Sequence, residues 1–179
     1  MCNIEVAMYS LWLVPKRDTE AYALLDQLIR DAAAQYRTPV FGPHATLQGG
    51  IEGAERDVRE RACLLAGELS PYEITLGEIG SNGIYFQILF FKVDRTPSVL
   101  NANALARKVF GMDKGDYSPH ISLAYGDLSK NQVDTLQQFI AQERAIEGTR
   151  FMAESIELWY AEGAIEEWYR VETFPFRKA

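Results

Sequence analysis

The hydrophobic and polar positions in the first half of the chain switch between strand-like and helix-like spacing. Residues 6–15 form a continuous apolar run, rich in valine, leucine and aromatic side chains, which predicts a buried strand. From Asp18 onwards apolar residues recur every three or four positions, which predicts an amphipathic helix of about 18 residues. Three further elements are predicted: a short strand that ends at Gly49–Gly50, a helix over 53–69 and an alternating strand over 72–80.

The second half of the chain repeats this order. Asn82–Gly83 is typical of a hairpin turn, and the apolar run over 84–93 predicts a strand after it. The later patterns predict a helix over 97–111 capped by Gly111, a strand over 118–126, a helix over 128–144 with Ser129 as its N-cap, and a closing hairpin of strands over 150–163 and 166–176. We therefore expect a single two-lobed domain over 1–179, with pseudo-repeats over about 4–80 and 83–161 and a closing strand over 166–176.

The composition limits the partners that the protein can bind. The chain has 179 residues, of which 47% are hydrophobic and 24% are charged, as is typical of a globular protein. Its formal net charge of -7 argues against binding to long RNA, DNA or an anionic membrane, because that binding depends on neutralising many phosphates. A small anion needs only a few donors, so a local phosphate site is compatible with this charge.

The two cysteines and the N-terminal segment give further expectations. Cys2 and Cys63 do not form a disulfide framework or a metal-binding cluster, and Cys63 is predicted to be a small core residue of a helix. The N-terminal segment is apolar, but it carries Glu5, has no basic region and is shorter than a membrane span. We therefore expect a cytoplasmic protein that is monomeric and uses no cofactor.

Both histidines of the chain lie in copies of one seven-residue pattern. The segments "FGPHATL" and "YSPHISL" share the order aromatic–x–Pro–His–x–Thr/Ser–Leu. Because alternate side chains of a strand point to the same face, His44 shares a face with Thr46, and His120 shares a face with Ser122. If the two halves of the chain face one another, two imidazoles and two hydroxyls meet in one cleft.

This set of side chains suits displacement at phosphorus. One neutral histidine takes a proton from water, one protonated histidine gives a proton to the leaving oxygen, and the hydroxyls bind the non-bridging oxygens. A zinc site is a weaker alternative, because no third ligand lies at a spacing that is typical of zinc-binding motifs. A purely structural role in turns and strand edges explains Pro43 and Pro119, but it does not explain both histidines.

The paired motifs also resemble a known family. "HATL" and "HISL" lie 76 positions apart and resemble the signature of the 2H phosphoesterase superfamily. The opening "YSLWLVP", the aromatic–x–Pro–His lead-in and the tyrosine two residues after "HISL" are similar to the small plant and fungal cyclic phosphodiesterases. This resemblance covers essentially the whole chain. It implies an α+β, bilobal fold, in which two pseudo-symmetric lobes of antiparallel strands line a central cleft with helices outside.

The same resemblance implies an activity and the residues that carry it. The activity is metal-independent hydrolysis of ADP-ribose 1″,2″-cyclic phosphate or of nucleoside 2′,3′-cyclic phosphates, which are opened to 2′-phosphates. His44 and His120 match the catalytic residues, and Thr46 and Ser122 match the phosphate-binding residues. The histidine of the second motif is usually the base in this family, and that of the first motif is the acid. Tyr125 matches a tyrosine that lines the family's active site.

Two aromatic residues each have two alternative roles. In a regular strand Tyr125 faces away from His120 and Ser122, so it reaches the cleft only if Gly126 marks a bend or bulge, and it is a core residue otherwise. Trp12 either lines the substrate site, where it could stack on a base, or fills the core.

Two other functions also stay open. RNA end processing, including 2′-5′ ligation, would need a basic stripe that leads to the cleft. The candidates for that stripe, which are otherwise scattered solvated charges, are Lys16, Arg17, Arg37, Arg150 and Arg170. A nucleotide-binding module that keeps the cleft without turnover is the non-enzymatic alternative. The acidic net charge favours a small nucleotide over RNA.

Overall fold

Strands and helices alternate along the chain in the computed structural model, which describes residues 7–112, 115–143 and 146–177. The strands are β1 (Ala7–Leu13), β2 (Ala45–Gly53), β3 (Tyr72–Gly80), β4 (Leu89–Val93), β5 (His120–Ala124), β6 (Arg150–Ala153), β7 (Ser155–Tyr160) and β8 (Tyr169–Pro175). The α-helices are α1 (Glu20–Tyr36), α2 (Glu55–Glu68), α3 (Pro97–Phe110) and α4 (Lys130–Glu143), and short 3₁₀ helices cover Tyr85–Gln87 and Ile165–Glu167. Cys2, the predicted strand start at residue 6 and the predicted helix end at residue 144 lie outside the described residues.

The strands form one curled antiparallel sheet in the order β6-β3-β4-β5-β2-β1-β7-β8. Its two halves meet at the pair β2–β5, which is joined through Ala45 and Ile121. These two residues directly follow His44 and His120, so the sheet brings the two histidine motifs together at its centre. The expected α+β fold of antiparallel strands with helices is confirmed.

Each half of the sheet takes strands from both halves of the chain. The first predicted repeat ends with β3, but β3 pairs with β4 and β6 of the second repeat. In return, β7 pairs with β1. The helices cross in the same way, since α1 packs on β5 and α3 packs on β2. The two lobes are therefore tied together by the chain itself.

The closing part of the chain differs from the prediction. The expected single strand over 150–163 is wrong: it is divided at Glu154 into β6, at one edge of the sheet, and β7, in the other half. The division is required because β6 continues the half that contains β3, whereas β7 continues the half that contains β1. The hairpin with the last strand is present as β7–β8, with a 3₁₀ helix in its connection.

Two other strand ends also differ from the prediction. The strand over 84–93 begins only at Leu89, because Gly83, at a φ of 67°, leads into a 3₁₀ helix instead of a two-residue turn. The strand predicted to end at Gly49–Gly50 continues to Gly53, and its pairing with β1 shifts register there. Glycines in these places allow a bulge without ending the strand.

The two predicted helix caps, Gly111 and Ser129, are confirmed, but the prediction for Cys63 is wrong. Gly111 adopts a left-handed φ of 66° at the end of α3. The Ser129 hydroxyl accepts from the backbone N–H of Gln132, whose side chain in turn accepts from the Ser129 N–H. Cys63 is exposed, because the buried stripe of α2 runs through the positions Val58, Ala62, Leu65 and Ala66.

The two faces of the sheet have different roles. Leu11, Leu13 and Leu47 are fully buried in a hydrophobic core together with apolar residues of the helices. Trp12 and Thr46 alternate with them and therefore point to the inner face, which the helices leave open. No helix of the described residues is long and apolar enough to cross a membrane.

A buried amide fixes α3 to the strand that carries the first motif. The Nδ2 group of Asn103 donates to the carbonyl oxygen of Leu47 at 2.7 Å, and Asn103 is 5% exposed. We expect Asn103→Ala to lower the free energy of unfolding by about 1–3 kcal/mol, because it leaves that carbonyl group unpaired. Urea unfolding measures this change, and Asn101→Ala, at an exposed position of the same helix, is the matched control. Equal effects of both substitutions would contradict the role of this hydrogen bond.

Candidate active site

Each histidine is fixed by one backbone hydrogen bond. Nδ1 of His44 lies 2.7 Å from the carbonyl oxygen of Gly42, and Nδ1 of His120 lies 2.8 Å from that of Ser118. A carbonyl can only accept, so Nδ1 carries the proton in both rings, and Nε2 is left for a substrate.

The proline between each acceptor and its histidine explains this geometry. Proline has a fixed φ, and the residue before it is held in an extended conformation. In both motifs the carbonyl that accepts belongs to the residue before proline, Gly42 or Ser118. The Pro–His pair therefore sets the orientation of each ring.

The six predicted site residues line a single cavity of about 320 Å³. They are His44, Thr46, His120, Ser122, Tyr125 and Trp12. The antiparallel register set by Ala45 and Ile121 directs His44 towards Ser122 and Thr46 towards His120, so each imidazole faces the hydroxyl of the other motif. The volume is in the range of small-molecule sites.

His44 is buried in an aromatic surrounding. Its ring stacks on Trp12 with a centroid distance of 3.6 Å and an interplanar angle of 10°, and Phe41 meets it edge-on. Burial lowers the pKa of His44 to about 4, and the nearby His120 acts in the same direction. Near neutral pH His44 is therefore a neutral imidazole whose Nε2 is an acceptor.

Trp12 contributes an edge to the cavity rather than a face. Its other face is covered by Trp159, with a centroid distance of 4.3 Å, and its indole N–H donates to the Ser10 hydroxyl at 2.8 Å. Both faces are thus occupied by protein side chains. Trp12 holds the His44 ring in place and leaves no open face for stacking on a base.

Tyr125 reaches the cavity because the strand ends before it. β5 stops at Ala124, and Gly126 has a φ of 141°, which bends the chain away from the sheet. The Tyr125 hydroxyl donates to Nε2 of His44 across 3.4 Å, and its ring stacks on Phe41. Burial raises the pKa of Tyr125, so its hydroxyl stays protonated as a donor.

The two hydroxyls of the motifs differ in their present partners. Ser122 donates to the carbonyl oxygen of Phe86 at 3.0 Å. The Thr46 hydroxyl has no hydrogen-bond partner within the described ranges. Ser122 must therefore rotate away from Phe86 before it can donate to a phosphate oxygen, whereas Thr46 needs no such exchange.

Sequence reasoning missed several residues of the cavity wall. They include Ser10, Phe86, Gln87 and Trp168. Ser10 could have been found from its position two residues before Trp12 on one strand face. Phe86 and Trp168 could not, because they lie in or beside the 3₁₀ segments that replace regular strand. Their rings approach to a centroid distance of 6.1 Å above the cavity.

The five candidate residues for a basic stripe do not line this cavity. Lys16, Arg17 and Arg170 lie together at a neighbouring part of the sheet. Arg150, on β6, pairs with Glu73 at the far edge of the sheet. Arg37 ends α1. Within the described part of the chain, no group of three or more His, Cys, Asp or Glu side chains could hold a metal ion.

A curled antiparallel sheet in which two His–x–Thr/Ser motifs face one cleft defines the class of 2H phosphoesterases. Residues 8–175 match the model of the family described as cyclic phosphodiesterase-like protein, and the chain belongs to this family. It is accordingly an enzyme of the phosphodiesterase class.

Individual proteins of known name or structure are also similar to this chain. The "Cyclic phosphodiesterase" of Arabidopsis thaliana is 23% identical over 139 residues, which cover 77% of this chain and 76% of that protein. The protein TT0787 of Thermus thermophilus aligns with a TM-score of 0.63 and 19% identity, over 96% of this chain and 98% of that chain. E. coli LigT, in a crystal structure with 3′-AMP, aligns with a TM-score of 0.59 and 14% identity, over 96% and 99%. The two solved structures share the fold.

The state of His44 can be measured directly. We expect nitrogen NMR to show a neutral ring protonated on Nδ1 at pH 6, with a pKa of about 4, because burial disfavours the imidazolium. The unfolded chain binds this proton near pH 6.5 and the native protein does not, so native stability falls by about 3 kcal/mol as the pH drops from 6.5 to 4. His44→Gln should remove this pH dependence. An imidazolium at position 44 at pH 6 would contradict the expected effect of burial.

Proposed function

We propose that this protein hydrolyses cyclic phosphates of small nucleotides by acid–base catalysis with two histidines and no metal. Its substrates are ADP-ribose 1″,2″-cyclic phosphate or nucleoside 2′,3′-cyclic phosphates, and the latter are opened to 2′-phosphates. The observation that carries the proposal is the pair of imidazoles, each fixed through Nδ1, that expose Nε2 to one cavity.

The reaction needs one proton acceptor and one proton donor. Water attacks the phosphorus and loses a proton to Nε2 of one histidine. The bond from phosphorus to the 3′ oxygen breaks, and that oxygen receives a proton from Nε2 of the other histidine. Thr46 and Ser122 donate to the non-bridging oxygens, where negative charge increases in the transition state.

His44 is the base and His120 is the acid. His44 is buried and neutral, and its Nε2 is an acceptor that already receives the Tyr125 hydroxyl. An anionic phosphate beside the ring raises the pKa of His44 when substrate binds, which increases its strength as a base. His120 is partly exposed, so its ring is more open to solvent than that of His44, and it takes the role of the acid. This assignment is the reverse of the one that the family resemblance implies.

The cavity wall supports a nucleotide as the organic part of the substrate. Phe86 and Trp168 give the mouth of the cavity an apolar aromatic surface, and the Trp168 indole N–H is buried without a partner among the described residues. E. coli LigT, which shares the fold, is described in complex with 3′-AMP. The net charge of -7 favours a small nucleotide over a long RNA.

Replacement of either histidine tests the two-histidine mechanism. We expect His44→Ala and His120→Ala each to lower kcat for adenosine 2′,3′-cyclic phosphate by roughly 10²–10⁴-fold, since each removes one proton transfer. Phosphorus NMR identifies the product, and circular dichroism verifies the fold. Wild-type turnover should give a bell-shaped pH profile and should persist in EDTA. A histidine variant with near wild-type turnover, or loss of wild-type turnover in EDTA, would overturn the mechanism.

A substrate with an activated leaving group separates the acid from the base. 4-Nitrophenolate leaves without a proton, so a 4-nitrophenyl phosphodiester does not need the acid. We expect the loss of rate caused by His120→Ala to be at least about tenfold smaller on this substrate than on the cyclic nucleotide. The loss of rate caused by His44→Ala should be similar on both substrates. The opposite pattern would restore His120 as the base and His44 as the acid.

A further inference from the structure

A buried carboxylate holds two arginines together beside the active site. Glu157, on β7, is 3% exposed. Its Oε1 accepts from Nη1 of Arg17 at 2.8 Å and from Nη1 of Arg170 at 3.2 Å. Its Oε2 accepts from Nη2 of Arg17 at 3.3 Å and from the Trp159 indole at 2.9 Å. Both oxygens of the carboxylate are therefore occupied by the protein.

In this cluster the carboxylate is buried, and the two guanidinium groups lie between it and the solvent. The side chains of Arg17 and Arg170 are 50% and 46% exposed. A guanidinium has five N–H donors. Arg17 uses two of them on Glu157 and Arg170 uses one, so both keep donors for another partner. An anion that approaches from solvent meets these N–H groups before it meets the carboxylate.

A second cavity of about 340 Å³ lies at this cluster. Besides Glu157, its polar lining consists of Lys16, Arg17, Arg170, Asp18, Ser155 and Thr173. The ammonium of Lys16 is paired one to one with Glu154, whereas the two arginines share the single carboxylate of Glu157 and keep a net positive charge. Asp18 is the one exposed carboxylate of the lining within the described residues.

The second cavity is aligned with the active site across the strands. Thr46 is paired with Trp12, Trp12 with Glu157, and Glu157 with Thr173. Paired residues of neighbouring strands point to the same face, so this row runs along the inner face of the sheet. Thr46 and Glu157 are two strand spacings apart, about 10 Å. Arg17 and Arg170 hold Glu157 at that end of the row, and a sugar that joins the two places has to cross the edge of the Trp12 indole, which lies between them.

The geometry points to a second anion subsite, in which Arg17 and Arg170 bind a phosphoryl group on the 5′ oxygen of the sugar that carries the cyclic phosphate. This inference rests on the proposed function, because it assumes that the cyclic phosphate occupies the histidine cavity. It makes 5′-phosphorylated cyclic phosphates better substrates than nucleosides with a free 5′ hydroxyl. Arginine forms paired N–H bonds with phosphate, and these are stronger than bonds between neutral groups.

A 5′-phosphoryl group can come from two sources. It can be the pyrophosphate of a small molecule such as ADP-ribose 1″,2″-cyclic phosphate, or the last phosphodiester of an oligonucleotide that ends in a cyclic phosphate. Both present the same anion to the same arginines. Only the oligonucleotide continues beyond it, over an acidic protein, so we expect the small molecule to give the higher kcat/KM.

The experiment compares adenosine 2′,3′-cyclic phosphate with the same compound phosphorylated at the 5′ oxygen. For the wild-type protein we expect kcat/KM to be about tenfold or more higher for the phosphorylated compound, as two charge-assisted hydrogen bonds allow. Arg17→Gln/Arg170→Gln should bring this ratio close to one. Arg150→Gln removes an ion-paired arginine at the far edge of the sheet and should leave the ratio unchanged. Separate arms use ADP-ribose 1″,2″-cyclic phosphate and a short cyclic-phosphate oligonucleotide.

Removal of both arginines leaves Glu157 buried without its cations, which can unfold the protein. Two further variants avoid this problem. Arg170→Gln keeps the Arg17–Glu157 pair and should lower the ratio in part. The triple variant Arg17→Gln/Glu157→Gln/Arg170→Gln removes the buried charge together with its partners and should again give a ratio near one.

A binding measurement separates this inference from the proposed function. In an NMR titration with ADP-ribose, the Nε–Hε signals of Arg17 and Arg170 should shift, and affinity should fall in the triple variant but not in Arg150→Gln. If the wild-type protein hydrolyses no cyclic phosphate and still binds ADP-ribose through these arginines, the proposed function fails and the subsite remains. A wild-type ratio near one, a ratio that the variants do not change, or ADP-ribose binding independent of the arginines would overturn the subsite.

Discussion

The candidate active site depends on one hydrogen bond that occurs twice, from Nδ1–H of a histidine to the carbonyl oxygen two residues before it. Proline stands between donor and acceptor in both cases and fixes their relative position. The bond selects the tautomer and the direction of the ring in one step. A histidine without it could present either nitrogen to a substrate, and the two rings would no longer face the cavity in a defined protonation pattern.

The sheet makes these two histidine units into one site. The strands that follow the histidines pair at Ala45 and Ile121, which is the junction between the two halves of the sheet. Because β3 and β7 each join the half formed by the other part of the chain, the junction does not rest on this short pairing alone. Helices α1 and α3 also cross between the halves. The distance between the imidazoles is therefore set by the whole fold.

Much of the site and of the order of elements could be predicted from the sequence, because both depend on local rules. Two-residue alternation put His44 with Thr46 and His120 with Ser122, and apolar periodicity located the helices. The position of Tyr125 could only be posed as a choice, since it depends on the unusual φ of Gly126. The division of the last strands at Glu154 could not be predicted, because a strand pattern does not specify the partner strand. Cys63 shows a further limit: a helical period locates a buried stripe, but one position to the side is already exposed.

Equal motifs acquire different chemistry from unequal surroundings. The two histidines have the same backbone anchor, but His44 is enclosed by Trp12, Phe41 and Tyr125, whereas His120 is partly exposed and contacts Phe90 at a centroid distance of 5.1 Å. A displacement at phosphorus requires one acceptor and one donor at the same time, and two equivalent rings would give no preference for which of them carries the proton. Because His44 is buried and His120 is partly exposed, the two rings are not equivalent. In the mechanism that we propose, the aromatic side chains around His44 therefore contribute to catalysis without touching the phosphate, because the burial that they cause keeps this ring neutral.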